Sequence, residues 1–269
     1  MKVCRVQLGS YTKCVLLFWL VLAIGMFPAG PVLAVAQELT IAAASDLNFA
    51  FKEMVQEFEK QNGVRVKLSL GSSGNFFSQI QHGAPFDLYF SADIRFPQKL
   101  IESGHAVSGS LKKYAIGQIV LWVPKSSPLD VEKLGVQALL EASVKKVAIA
   151  NPKHAPYGRA AIEALKHFKI YEQVKDKLVL GENVSQAAQF VESGAADAGI
   201  IALSLALAPS MKEAGKYWQI PASAHHPIEQ GAVVIKSARN PEGAKAFLSF
   251  VGSEAGRQTM TRYGFVLPE

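Results

Sequence analysis

Hydroxyl and small side chains gather at two places where a strand pattern passes into a helix pattern. Ala42-Ala43-Ala44-Ser45-Asp46 closes the strand pattern over 39–44, and Gly71-Ser72-Ser73-Gly74 follows the one over 64–70. A helix start leaves its first backbone N–H groups without intrahelical acceptors, and the helix dipole favours negative charge there. Small neighbours let a ligand approach the backbone, and a serine adds a hydroxyl donor. The chemistry this suits is capture of an anion, and two such corners suggest one oxyanion held from two helix ends. Each corner also has a plainer use, Ser45 as an N-cap or turn serine and 71–75 as a polar turn. Asp46 is repulsive beside a dianion unless it points away, caps the helix, or accepts a proton from an anion such as hydrogen phosphate.

Two further helix starts have a similar build. Asn151-Pro152-Lys153-His154-Ala155-Pro156-Tyr157-Gly158 leads into a helix pattern over 158–168 and offers Tyr157 and Gly158, although its two prolines equally suit an ordinary turn with His154 exposed. Glu182-Asn183-Val184-Ser185 leads into a helix over 184–193, with Asn183 suited to the N-cap. Groups for bond-making chemistry are sparse. Ser110-Leu111-Lys112-Lys113 and Ser143-Val144-Lys145-Lys146 have the S-x-x-K spacing, which arises readily by chance, and no K-T-G segment accompanies them. The six histidines show no H-x-x-x-H spacing, and His225-His226 precedes a proline as a loop would, so no metal centre is indicated. No Walker A, G-x-G-x-x-G or G-x-S-x-G sequence occurs.

The elements that must position these corners alternate along the chain. Phe51, Met54, Val55 and Phe58 share one helical face before Gly63, and Val64, Val66, Leu68 and Leu70 alternate as in a strand. Further strand patterns cover 87–91, 119–123, 146–150, 178–180, 198–202, 217–220 and 232–235. Helix patterns cover 76–81, 96–103, 131–142, 244–251 and 254–263. Such alternation predicts α/β architecture with mostly parallel sheets flanked by helices. The apolar run 118–125 and the return segment 226–235 are candidate crossings between two lobes. The expected organisation is 1–36 as a leader, 37–120 plus 228–269 as a discontinuous first lobe, and 121–227 as the second. The ligand cleft then lies between the lobes, at strand C-terminal ends and helix starts.

The leader reads as a secretory signal peptide. Lys2, Arg5 and Lys13 precede an apolar run over 15–27, and Ala34-Val35-Ala36 is a small-x-small cleavage site before Gln37. The run is short for a membrane span. Cleavage near Ala36 removes Cys4 and Cys14, the two cysteines of the chain, so the mature chain relies on its core rather than on disulfides. It also removes three basic residues and no acidic ones, lowering the formal charge from +6 to +3. With that charge and no basic cluster, an exported, periplasmic chain has no nucleic-acid partner to expect.

Taken together, the corners resemble those of the periplasmic molybdate-binding proteins of ATP-binding cassette importers, over essentially the whole mature chain. The resemblance is carried by Ala42–Ser45, Gly71–Gly74, the stretch from Gly83-Ala84-Pro85-Phe86-Asp87 to Ser91-Ala92-Asp93, Asn151-Pro152 through Pro156-Tyr157-Gly158, and the ending Arg262-Tyr263-Gly264-Phe265. It implies a two-lobed type II periplasmic-binding-protein fold closed on a tetrahedral oxyanion, molybdate or tungstate. The family's contacts carry over onto Ser45 and Ser73, as hydroxyl and backbone donors, and onto Tyr157 and Val184, as backbone N–H donors. Molybdenum would be held as molybdate through these residues, with no direct metal ligand. Some members add a tyrosine hydroxyl from the strand that is Gly199-Ile200-Ile201-Ala202 here. This chain has Ala202 at that position, and Tyr157, Ser72 and Ser204 are the candidate replacements.

The implied function is an extracytoplasmic solute receptor that hands its anion to a membrane permease, as a monomer with no catalytic residue and no cofactor. The physical reading agrees, since a fully deprotonated oxyanion needs donors only and neither serine motif contains a charged donor. The same fold binding sulfate, thiosulfate or phosphate is the alternative. A periplasmic serine hydrolase using Ser45 or Ser73 is more remote, because no base accompanies either.

Overall fold

The structure, a computed structural model, describes residues 38–268 together with Met1 and Lys2. The apolar run, both cysteines and the cleavage site expected from the sequence lie outside the described residues.

Strands β1 (Glu38–Ala44), β2 (Arg65–Gly71), β3 (Leu88–Ser91) and β4 (Lys112–Gly117) precede β5 (Ile119–Pro124), β6 (Val147–Ala150), β7 (Leu178–Gly181), β8 (Ala198–Ala202), β9 (Gly215–Gln219) and β10 (Ile228–Val234). They form two five-stranded sheets, ordered β2-β1-β3-β10-β4 and β7-β6-β8-β5-β9, each the core of one lobe. The longer helices are α1 (Asn48–Asn62), α2 (Ser73–Gln81), α3 (Arg95–Glu102), α4 (Pro156–His167), α5 (Val184–Glu192), α6 (Pro241–Val251) and α7 (Glu254–Arg262). Helices α1, α2, α3 and α6 pack on the first sheet, with α7 against α1 and α6, while α4 and α5 pack on the second. Among the described residues no helix is long and apolar enough to cross a membrane.

Four strands of each sheet run one way. The reversed strand is β10 in the first sheet, antiparallel to β3 and β4, and β5 in the second, antiparallel to β8 and β9. These are the two strands that follow a change of sheet. The chain leaves the first sheet after Gly117 and enters the second at Ile119, so the change falls at Gln118. That is two residues before the division expected at 120/121, because Ile119 already pairs with Ala202 and Val120 with Ile201. It returns between Gln219 and Ile228.

Side-chain alternation in β1 places Ile41 and Ala43 in a core with Phe51, Phe58, Phe90 and Phe247, and Ala42 on the other face with Phe76, Tyr89 and Leu100. Helix α1 ends at Gly63, whose φ of 63° is the left-handed cap that a glycine takes without steric cost. Two sequence expectations change. The helix over 131–142 is a short turn, Val131–Leu134, followed by a 3-10 segment, Gly135–Leu140, because Gly135 adopts φ 55°, ψ −139° and breaks the helix. Strand β4 gave no clean apolar alternation, since it lies at the sheet edge, pairing with β10 on one side and at Ile116 with Val266 on the other, and carries exposed Lys112 and Lys113 at its start.

Phe247 lies edge-on to Phe51, Phe58 and Phe90 at centroid distances of 5.7, 5.1 and 6.0 Å. Phe247→Ala should therefore cost about 3–5 kcal/mol of stability in urea titration. A cost below about 1 kcal/mol would mean that this cluster is not the core of the first lobe.

Candidate functional site

Ser45 and Ser73 from the first lobe and Tyr157 and Val184 from the second line one small, tight cleft. Ser45 opens a 3-10 turn, Ser45–Leu47, between β1 and α1. Its Oγ accepts from the Ser185 N–H at 3.3 Å, and Ser73 Oγ accepts from the Ala92 N–H at 3.0 Å. Each hydroxyl thus keeps its hydrogen for another acceptor. Ser73 is held from behind by the Tyr89 hydroxyl, which donates to its carbonyl at 2.7 Å. Both serines are almost fully buried, at 3% and 1% exposure.

The backbone supplies three more donors. Ser73 and Val184 are the first residues of α2 and α5, and Tyr157 is the second of α4, after a proline that presets the helix start. A helix offers these N–H groups no carbonyl, and among the described residues no other backbone acceptor pairs with them. Asn183 does cap α5, its side chain accepting from Gln186 N–H at 3.1 Å, and this leaves the Val184 N–H unused. Among the described residues no lysine, arginine or histidine lines the cleft, and the one carboxylate lining it is Asp46. Two hydroxyls and three N–H groups, all neutral, can therefore surround a small anion, with the helix starts supplying the favourable field.

The lobes touch along a seam beside this cleft. Ser72 occupies the N-cap of α2 but does not cap it. Its Oγ donates to the His154 carbonyl at 2.8 Å and lies 2.8 Å from His154 Nδ1. The Gly74 N–H donates to the same carbonyl at 2.9 Å, and a Cβ on Gly74 would stand 2.7 Å from it, so a side chain there would force the lobes apart. Asn75 donates to Glu182, and Ser185 Oγ donates to the Ser45 carbonyl at 2.8 Å.

Asp46 turns to a second, buried contact. Its Oδ2 accepts from Gln230 Nε2 at 2.7 Å and from the Tyr157 hydroxyl at 3.0 Å, while Oδ1 has no partner among the described residues. Burial pushes the carboxyl up to about 6, against the two hydrogen bonds. Burial and the neighbouring carboxylate push the Tyr157 phenol well above its ordinary value.

None of the three candidate replacements for the donor missing at Ala202 is free. The Tyr157 hydroxyl is on Asp46, Ser72 Oγ is on His154, and Ser204 Oγ donates to the Asp46 carbonyl at 2.7 Å. His154, expected to be exposed, is half-buried on the seam. His154, Ser185 and Gln230 were not foreseen. Gln230 alone left a trace, as a polar residue within the largely apolar run of β10 that the structure buries completely.

A wider cleft of about 310 Å³ adjoins the site and shares Ala92 and Pro156 with it. Asp93 there is paired with Arg95 and Arg159, and Glu163 Oε2 accepts from the His226 backbone N–H at 2.8 Å. Burial alone would raise the Asp93 carboxyl, but its bonds to Arg95 and the charges of both arginines hold it below its ordinary value. Among the described residues no three His, Cys, Asp or Glu side chains are grouped as a metal site would require.

Comparison with known proteins gives concordant matches. The family described as bacterial extracellular solute-binding protein matches residues 39–266. The chain is 39% identical over 233 residues to the molybdate-binding protein ModA of Rhodobacter capsulatus, covering 87% of this chain and 90% of that protein. It is 36% identical to the Azotobacter vinelandii protein of the same name, covering 87% and 92%. A solved structure of the periplasmic molybdate-binding protein of Azotobacter vinelandii superposes with a TM-score of 0.81 at 34% identity, covering 86% of this chain and all of that one.

The buried carboxyl makes stability depend on pH. Folded, Asp46 keeps its proton up to about pH 6, whereas unfolded it loses it near 3.8. Between those values the folded state holds the extra proton, so its contribution is full below the lower value, falls as pH rises through the window, and is flat above it. Relative to Asp46→Asn, the wild type should lose about 3 kcal/mol across that window. Urea unfolding of both proteins at a series of pH values measures this, and a difference that is flat or rises with pH would contradict it.

Proposed function

The chain belongs to the bacterial extracellular solute-binding proteins, and on that basis we propose that it captures molybdate outside the cytoplasm and delivers it to the membrane permease of an ATP-binding cassette importer. The observation that carries this is the convergence of Ser45, Ser73, Tyr157 and Val184, from both lobes, on one small cleft without a cation. Molybdate is fully deprotonated at neutral pH and needs donors only. Neutral hydroxyls and helix-start N–H groups satisfy it without a counter-charge on a side chain. Tungstate has the same charge and shape and is taken by the same donors. Sulfate, with shorter bonds to oxygen, falls short of some of them.

In this reading the lobes, 37–117 plus 228–269 and 119–227, joined at Gln118, close on the anion. The mature protein is released into the periplasm by cleavage near Ala36 and acts as a monomer, without nucleic acid, cofactor or catalytic residue. Ser72 and His154 are not a nucleophile and its base. The Ser72 hydroxyl also bonds to the His154 carbonyl, and the carboxylate nearest that ring, on Glu182, stands 3.8 Å away and is mostly exposed. One observation favours phosphate as a second ligand. Asp46 Oδ1, on the residue next to Ser45, is a buried acceptor without a partner among the described residues, and hydrogen phosphate carries a proton that would suit it.

Ser45→Ala and Ser73→Ala each remove a hydrogen bond to a charged ligand, so each should cost about 1.5–3 kcal/mol of molybdate binding by titration calorimetry, or about ten- to 150-fold. Wild-type affinity in both would contradict the site. In a thermal-shift panel of molybdate, tungstate, sulfate and phosphate, the first two should stabilise most, and a shift with phosphate alone would move the ligand to the second reading.

A further inference from the structure

Tyr157 is held at two points. Its N–H is one of the unused donors at the start of α4. Its phenol crosses into the first lobe, donating to Asp46 Oδ2 at 3.0 Å and accepting from Gln230 Nε2 at 3.0 Å. All three residues are buried. Asp46 Oδ1 and Gln230 Oε1 have no partner among the described residues. Among the described residues the phenol is therefore the one side-chain donor that the Asp46 carboxylate receives from the other lobe, the Ser204 hydroxyl being on the Asp46 carbonyl, and opening the lobes removes it.

The seat of the phenol is shaped for it. Gly117 is the last residue of β4, immediately before the change of sheet at Gln118. A Cβ there would lie 2.2 Å from the phenol oxygen and 2.8 Å from Gln230 Nε2. Only a residue without a side chain leaves room for the tyrosine to enter beside the hinge. Tyrosine links its backbone and its hydroxyl through two torsions, so an N–H placed on an anion and a hydroxyl placed on Asp46 define one closed position. The groups that face Asp46 are Tyr157 from α4, Gln230 and Tyr114 from β10 and β4, and the Ser204 hydroxyl on its carbonyl.

Resting on the receptor function proposed above, we propose that the Tyr157 phenol, seated between Asp46, Gln230 and Gly117, is a closure latch that joins the lobes only when they are shut on an anion and so sets how long the anion is held. Tyr157 binds the ligand through its backbone and positions the lobes through its hydroxyl. Asp46, Gln230 and Gly117 are positioning residues. A bond present only in the closed state slows release and leaves capture by the open form unchanged.

Stopped-flow fluorescence with molybdate separates the two rates. Tyr157→Phe keeps the ring and removes the bond, so release should quicken about tenfold, with the capture rate within twofold of wild type. Gly117→Ala leaves every hydrogen-bonding group in place and blocks the seat, and it should quicken release as well. The melting temperature of ligand-free Tyr157→Phe should match the wild type, while its molybdate-induced rise shrinks. Wild-type release in both variants, an effect confined to capture, or an equal loss of melting temperature with and without molybdate would overturn the latch. A wild-type protein that fails to bind molybdate would overturn the receptor reading and the latch with it, whereas tight wild-type binding with unchanged release in the variants would overturn the latch alone.

Discussion

In the proposed function, holding a dianion without a cation is the constraint on which the rest of the architecture depends. Each neutral hydrogen bond and each helix start contributes only part of the stabilisation that a charged ligand loses on leaving water. Several must therefore converge, and a single helix start cannot supply them. The cleft meets this need with one serine turn, Ser45–Leu47, and three helix starts, at Ser73, Pro156 and Val184, drawn from both lobes. Arginine is present nearby, but Arg95 and Arg159 are both committed to Asp93 in the adjoining cleft. A cationic site would attract any anion of the right charge. A neutral one discriminates by size and protonation.

The two sheets exist in the form needed to bring these corners together. In each, strands running in one direction deliver their C-terminal ends to the cleft, where the next helix begins. The reversed strands β5 and β10 follow the two changes of sheet, so the joint between the lobes lies beside the site rather than at its far end. Small residues at the points of approach follow from this. Ala44 and Ala92 line the cleft, Gly74 lets the His154 carbonyl come close, and Gly117 admits the Tyr157 phenol. A side chain at Gly74 or Gly117 would hold the lobes apart before the donors met.

How far the site was legible follows from the range of each signal. Ser45, Ser73, Tyr157 and Val184 lie where a strand pattern of period two gives way to a helical one within a few residues, a local feature that the sequence displays directly. The contacts that join the lobes are not local. Tyr157 meets Asp46 across 111 residues, Ser72 meets His154 across 82, and Ser204 meets Asp46 across 158. Nothing in the local pattern around His154 or Tyr157 tells whether a side chain faces solvent, ligand or the other lobe. The same distinction separates the elements read correctly from those that were not. Helix α1 announces itself by an apolar face and a glycine stop. The edge strand β4 begins with two lysines and shows its nature only beside β10.

The central claim, that neutral donors from both lobes hold the anion, is tested most directly by a crystal structure of the protein with molybdate, read at the molybdenum absorption edge. The anomalous peak should sit in the small cleft, with oxygens within about 3 Å of Ser45 Oγ, Ser73 Oγ and the N–H groups of Tyr157 and Val184, and with no lysine or arginine in contact. A peak in the adjoining cleft against Arg95 and Arg159, or on one lobe alone, would contradict the account.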